Sequence, residues 1–492
     1  MSQQHLPLDV LVVGAGIIGS TTANLLAELQ PDWKIGVVEA LESAGLESSN
    51  GWHNAGTGHA GLCEFNYTPA AADGSVDPAA AVQVHEQFLV STQYWAYLCA
   101  SGRLGAARDF IRSVPHGSFA HSAPWVKMLR TRYASLGEHP LFADMQYSEN
   151  PAILRQWYPL MFQERPPGAP VAATYSPSGT DVDFGTLSVR LLEDARRRGV
   201  SVRTGTRVHS LKRQANGLWA AYLETPTGAT ERLEARFVCV AAGGGTLPLL
   251  QGAGMDEVRT SGGFPISGLF LRTGNPRLVA AHRAKVYSHP APGAPPLSMP
   301  HLDLRVMDGT EYLMFGPFGA FSPRFLTRGR LTDLPASVNR HNIRTLLGAA
   351  RNGTDLLRFF LGELLRTPGS RFTELRTFVP AARTEDWELI RAGQRVQLVT
   401  EVQGQGKIAG FGTQVVIDRQ GTLAGVLGAS PGASASVSVV LDLLARAFPA
   451  RVDTWLEQLR RAMPQLRKPL DTDRQALDHV RKQVAASLRL NW

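Results

Sequence analysis

The amino-acid sequence predicts an α/β protein, in which a parallel-sheet domain of Rossmann type is interleaved with an α+β domain. Three observations carry this reading. An apolar run, Val10 to Val13, leads into Gly14-Ala15-Gly16-Ile17-Ile18-Gly19 and then a helical stretch. A second apolar run, Ile35 to Val38, ends on the acid Glu39, twenty residues past Gly19. The same character returns later: a helix-like stretch Thr186–Arg198 stops at Gly199, and a buried-strand run Phe237–Ala242 ends on Gly243 and Gly244.

Each part of the first unit has a physical task. Gly14 permits the tight turn, Gly16 lets the backbone approach a pyrophosphate, and Gly19 lets the helix pack close to the strand. The helix N-terminus offers free N–H groups and the positive end of its dipole. Glu39 stands where a carboxylate accepts hydrogen bonds from ribose hydroxyls. A lone G-x-G-x-x-G is weak in a chain with 48 glycines; with both strands and the acid in place it predicts a dinucleotide site.

Composition bounds the rest. At 492 residues, 44% hydrophobic and 19% charged, the chain suits two globular domains. Cys63, Cys99 and Cys239 are widely spaced and form no C-x-x-C, which argues against a disulfide framework, an Fe–S cluster or a zinc site; no metal is expected. Met1 to Pro7 lacks the basic-then-apolar pattern of a secretory signal, so a cytoplasmic setting is expected. The longest apolar candidate, Leu423 to Leu444, contains Pro431, Asp442 and four serines and is not a membrane span. The net charge of +8 suits an anionic partner. Dense Lys/Arg blocks interleaved with aromatics are absent, so a membrane surface ranks above nucleic acid.

Along the chain, Glu47 to His59 is small, polar and Gly-rich, and reads as a loop lining a ligand, with Asn54, Gly56 and Thr57 as contacts. Val82–Leu98 has a helical pattern, whereas Val114–Pro177 is rich in aromatics and prolines with weak periodicity. Val200–Arg203 and Thr206–Leu211 read as strands, and Trp219–Glu224 with Glu231–Leu233 as a hairpin. The dinucleotide domain is assigned residues 1–80, 178–262 and 395–492, and the second domain 81–177 and 263–394.

Within the second insertion, Pro290–Pro300 is extended. It delivers the chain into His301–Val306, whose alternation puts His301, Asp303 and Arg305 on one strand face, either solvated or facing a substrate. Asp308-Gly309 is a hairpin turn. Thr327–Leu365 is predicted helical, with Arg340, Arg344, Arg351 and Arg358 on a solvated face. Gly393–Val399 is strand-like. Gly428–Ser434 precedes a helix at Val437–Ala447; with Ser430 and Gly432 it either offers backbone N–H groups to a ligand or forms an ordinary cap.

Long strings then resemble a known family. ESSNGWHNAGTGHAGLCEFNYTP at 47–69, GAPPLSMPHLDLR at 293–305, FGPFGAFSPRFL at 315–326, AARTEDWELIRAGQRVQ at 381–397 and LGASPGAS at 427–434 are similar to the signature of bacterial malate:quinone oxidoreductases. One departure is His53, where that pattern carries Asn. The resemblance implies FAD, and a fold shared with flavoproteins of the glutathione-reductase and amino-acid-oxidase type. It implies oxidation of L-malate to oxaloacetate in the citric acid cycle, with FAD as hydride acceptor and a membrane quinone as electron acceptor. The rivals are oxidation of another 2-hydroxy acid, such as L-2-hydroxyglutarate, and a non-catalytic flavin-binding protein.

That chemistry needs a base and a clamp for two carboxylates. Histidine suits the base, and His59 and His301 lie in the signature strings. Arginine binds carboxylates through two parallel N–H bonds, and Arg305, Arg383 and Arg395 lie in them too. A quinone acceptor implies peripheral attachment to the inner face of the cell membrane. Leu477, Val480, Val484 and Leu488 recur at helical spacing, with Arg481, Lys482 and Arg489 between them. That helix either lies on an anionic bilayer or covers the core. Oligomeric state is not legible.

Overall fold

A computed structural model describes residues 6–289, 299–352, 362–363, 366–408, 412–428, 432–464, 466 and 473–492. The first strand, Leu8–Val13, lies between Ile35–Val38 and Thr230–Val240, parallel to both, with Val12 opposite Val37 and Cys239. Ser201–Arg203 and Leu423–Gly428 extend this parallel core on either side. Val10, Leu11 and Val12 are fully buried, as central parallel strands with covered faces must be. Helix Ile17–Leu29 packs against helices Phe184–Arg197 and Ser436–Ala447. Its close approach to the strand requires Gly19, where a Cβ would overlap the Gly14 carbonyl.

The second sheet runs in the order Gln405–Ile408, Glu388–Val402, Gly262–Thr273, Thr310–Ala320, His301–Met307, Lys285–Ser288, His116–Ala120, Ala172–Tyr175, Gln146–Ser148. The two inserted stretches therefore build one sheet. Strand Glu388–Val402 crosses the boundary drawn at residue 394, and its hairpin partner Gln405–Ile408 also belongs here. His301–Met307 is interior to this sheet and buried along its whole length. Asp308 (φ 49°) and Gly309 (φ 77°) make the expected hairpin turn.

Other expectations need correction. The hairpin arm at 231–233 and the run from Phe237 are one strand, Thr230–Val240, which passes from the hairpin into the parallel core. Between Thr327 and Asn352 the described chain holds two short helices, Asp333–Ser337 and Ile343–Asn352, because it turns extended at Val338. Residues 290–298 and Arg358 lie outside the described residues.

The C-terminal helix Arg474–Leu488 is capped by Asp473, which accepts from the Ala476 N–H at 2.9 Å. Leu477, Val480, Val484 and Leu488 are each 1% exposed against helix Ala79–Ala100, and Arg481 donates to the Leu141 carbonyl. The helix covers the core, so its apolar face is not available to a bilayer. No described helix is long and apolar enough to cross a membrane.

Candidate active site

A cavity of about 1090 Å³ connects the glycine turn of the first sheet with the inner face of the second. At one end its wall includes Gly14, Gly16, Glu39 and Gly243; at the other, Tyr287, His301, Phe270 and Arg395.

At the first end, Gly14 has φ 100° and a Cβ there would collide with the Ala241 carbonyl, so only glycine fits. Around Gly16 the one neighbour within reach of a Cβ is Ser49 Oγ at 3.2 Å; the rest is open cavity. Ser49 Oγ accepts from the Ile17 N–H at 2.9 Å, at the helix N-terminus. Sequence reasoning missed Ser49, although it lies in the loop read as ligand-lining. Glu39 accepts from the Ala15 and Leu41 N–H groups at 2.6 and 2.8 Å. Burial raises its pKa and outweighs those bonds. A glycine turn, a helix N-terminus and an acid at the second strand's end fit a dinucleotide. Gly432 lines the cavity, while Ser430 lies outside the described residues.

The loop from Asn50 to Thr57 forms the roof between the two ends. Asn54 braces it, donating to the Ser48 and Asn50 carbonyls and accepting from the Gly56 N–H at 2.9 Å. Gly56 has φ 59°, and a Cβ there would strike the Arg305 guanidinium. Thr57 Oγ1 is 2.8 Å from the Tyr287 hydroxyl.

At the second end, the His301 ring stacks on Tyr287 with centroids 4.2 Å apart and planes 9° apart. His301 Nδ1 is 2.8 Å from Asp303 Oδ2. Asp303 is fully enclosed; burial pushes its carboxyl up, but His301, then Lys285, then Arg305 hold it below its ordinary value. Lys285 Nζ lies 2.9 Å from Asp181 Oδ1 and 3.8 Å from Asp303 Oδ2, and donates to the Ala55 carbonyl. Arg305 Nε lies 2.9 Å from Asp181 Oδ1, and Nη1 donates to the Asn54 carbonyl at 2.6 Å.

Arg305 thus needs correction as a substrate contact. It does share a strand face with His301, but the loop at 54–56 covers that part of the face. Its guanidinium is spent on Asp181 and the loop, and it is not on the cavity wall. Arg383 is also corrected: it is exposed and off the wall, at the turn Thr384–Asp386. Arg395 does line the cavity, half-buried; burial lowers its pKa and the nearby Tyr287 hydroxyl opposes that. Asp181 and Lys285 were invisible to sequence reasoning, since neither lies in a pattern that pairs them.

His59 lines the same cavity. Its N–H donates to Ser434 Oγ at 3.0 Å, and its Nδ1 forms a short ion pair with Glu64 Oε1. Burial pushes the Glu64 carboxyl up, but His59 and His116 outweigh it and bring it down to about 2. Arg132, fully buried, donates to the Gly61 carbonyl and Thr68 Oγ1 at 2.8 Å each and fixes this loop. His59 and His301 are therefore each paired with a carboxylate, while His53, also on the wall, meets the Glu47 backbone carbonyl at 2.7 Å.

The model of the family Malate:quinone oxidoreductase (Mqo) matches residues 7–490. The chain belongs to this malate:quinone oxidoreductase family. A probable malate:quinone oxidoreductase of Leifsonia xyli subsp. xyli is 47% identical over 485 residues, covering 98% of this chain and 99% of that one. One from Geobacillus kaustophilus is 43% identical over 493 residues, covering 100% and 98%. Among solved structures, glycine oxidase from Geobacillus kaustophilus matches with a TM-score of 0.58 at 16% identity. L-alpha-glycerophosphate oxidase from Mycoplasma pneumoniae, with FAD bound, matches with a TM-score of 0.56 at 15% identity. Both alignments cover 90% of this chain and 95% of the other. The fold is that of the FAD-dependent oxidoreductases.

Proposed function

We propose that this family member oxidises L-malate to oxaloacetate on FAD held in the long cavity and passes the electrons to a quinone, with His301 taking the hydroxyl proton. The observation that carries the assignment is His301 on the cavity wall, with its Nδ1 2.8 Å from the enclosed Asp303 carboxylate behind it. Bound FAD supplies the two-electron acceptor that malate oxidation needs.

The chain's own residues handle the proton and the carboxylates. With Nδ1 tied to Asp303, the lone pair of neutral His301 is on Nε2, where it accepts the proton of the C2 hydroxyl. Asp303 fixes that tautomer and stabilises the imidazolium that forms. Tyr287 holds the ring plane by stacking. Arg395 meets one substrate carboxylate with two parallel N–H bonds. His59, anchored at Nδ1 by Glu64 on the same wall, meets the other. Lys285, Arg305 and Asp181 act as positioning residues beneath the roof loop. Gly14, Gly16, Glu39, Asn54, Gly56, Thr57, Gly243 and Gly432 form the cofactor cradle, with Gly19 holding the helix close behind it. Because quinones are lipid-borne, the proposal includes peripheral contact with the inner face of the cell membrane.

The test is anaerobic mixing of FAD-loaded protein with L-malate while flavin absorbance is followed. Rapid bleaching is expected, slowed about a hundredfold or more in His301→Ala. Bleaching by L-2-hydroxyglutarate alone would overturn the substrate, and no bleaching by either acid would overturn the reaction.

A further inference from the structure

Nine large hydrophobic residues are exposed among the described residues, and five of them, Phe321, Leu331, Val338, Ile343 and Leu347, fall within 27 residues of chain. Leu331 and Leu347 are the most open of the five, at 61% and 64%. Scattered surface leucines need no explanation, but a concentration like this marks an interaction site. The same stretch, Phe321 to Asn352, carries six arginines against one acid, Asp333. Asp333 is occupied, accepting from the Phe325 and Arg330 N–H groups. Arg340, Arg344 and Arg351 are exposed.

Helix Ile343–Asn352 shows how the two properties are combined. Its inner face, Thr345 and Ala349, seats against the hairpin strand Gln405–Ile408, where a Cβ at Gly406 would overlap the Thr345 carbonyl. Ile343 and Leu347, one turn apart, are left exposed with Arg344 between them in sequence. The segment also walls the catalytic cavity through Phe325, Leu326, Arg328, Arg330, Ala336 and Ser337.

We propose that the excursion 321–352, which walls part of the cavity, is the surface by which this protein seats on an anionic lipid bilayer. The inference rests on the quinone reading above, which requires a lipid-borne acceptor to reach that cavity. Charge selects the occupant. A second copy would bring the same arginines face to face, and like charges repel. An anionic bilayer accepts apolar side chains and neutralises arginines together.

The experiment is flotation of the full, FAD-loaded chain with phosphatidylcholine vesicles, with and without phosphatidylglycerol. The protein is expected to float with the anionic vesicles, and less so near ~1 M salt, where screening shortens to about 3 Å. Leu331→Ser/Ile343→Ser/Leu347→Ser and, separately, Arg340→Glu/Arg344→Glu should each lower vesicle partitioning about tenfold or more. None of these five residues lines the cavity, so malate-driven bleaching should persist in both variants and report that they are folded. Bleaching-competent variants that float like the parent would overturn the proposal. So would equal flotation on neutral vesicles, or a dimer in vesicle-free solution that either variant dissolves. A parent that malate bleaches but that quinone-containing vesicles do not reoxidise would sink the quinone reading instead, while the partitioning result stands by itself.

Discussion

Replacing Asp303 with Asn removes one charge and almost no volume, and it isolates what the carboxylate does for His301. When His301 takes the substrate proton it becomes cationic, with Asp303 Oδ2 2.8 Å from Nδ1. Taking the ring charge as spread, about 4 Å from the carboxylate, the attraction at an effective dielectric of about 20 is about 4 kcal/mol. Asn keeps a hydrogen-bond acceptor, which returns about 1 kcal/mol. Lys285, 3.8 Å from the same oxygen, loses part of its counter-charge and adds repulsion toward the ring. A net loss of about 3 kcal/mol corresponds to about two orders of magnitude in rate at ~1.4 kcal/mol per decade. The assay is stopped-flow bleaching of the flavin at saturating malate, without oxygen. The double variant with His301→Ala should be no slower than His301→Ala alone, because Asp303 acts through the ring. A stoichiometrically FAD-loaded Asp303→Asn that bleaches within threefold of the parent would refute the reasoning, as would full additivity in the double variant.

Gly16→Val should yield folded, colourless protein, since its side chain enters cavity, whereas Gly19→Ala should fail to fold because its Cβ overlaps the Gly14 carbonyl; absorbance at flavin wavelengths and circular dichroism separate the two. Arg395→Lys should chiefly raise KM for malate, by about tenfold, through loss of the paired N–H bonds, with little change in kcat; an unchanged KM removes Arg395 from the clamp. Stability should begin to fall below pH 6.5. His116 and His282, buried and held neutral, have pKa values lowered from 6.5 to about 4 by burial. Between those values the unfolded chain binds the protons that the folded one refuses, so each histidine withdraws up to about 3 kcal/mol as pH falls through the window. A urea midpoint flat from pH 7 to 4 would contradict their neutral burial.

The parts of the fold legible in the sequence are those whose physics is local. The turn at Gly14, the close packing at Gly19 and the acid at Glu39 lie within one βαβ unit, and residue type and spacing suffice to place them. The alternation at 301–306 likewise put His301, Asp303 and Arg305 on one face. Periodicity does not say what covers a face, and there the reading of Arg305 went astray. Its partner Asp181 is 124 positions away, and the covering carbonyl of Asn54 is 251 away. The C-terminal helix poses the same problem. Leucine and valine at helical spacing suit a bilayer and a protein core equally, and only the contact with helix Ala79–Ala100 decides between them.

What the long-range contacts add is a charge balance that no segment carries alone. Asp181 and Asp303 oppose Lys285 and Arg305, so the buried group is neutral before a proton arrives. Two carboxylates and two cations buried without that match would cost several kcal/mol each. Uptake of a proton by His301 then adds a single positive charge, and the nearest charged atom to meet it is Asp303 Oδ2, with Lys285 behind. The i, i+2 spacing of His301 and Asp303 fixes that first contact locally. Lys285 and Arg305, donating to the Ala55 and Asn54 carbonyls, tie the same network to the loop roofing the cavity. A change at Lys285 should therefore disturb roof and base together, whereas a change at Asp303 should fall on the base.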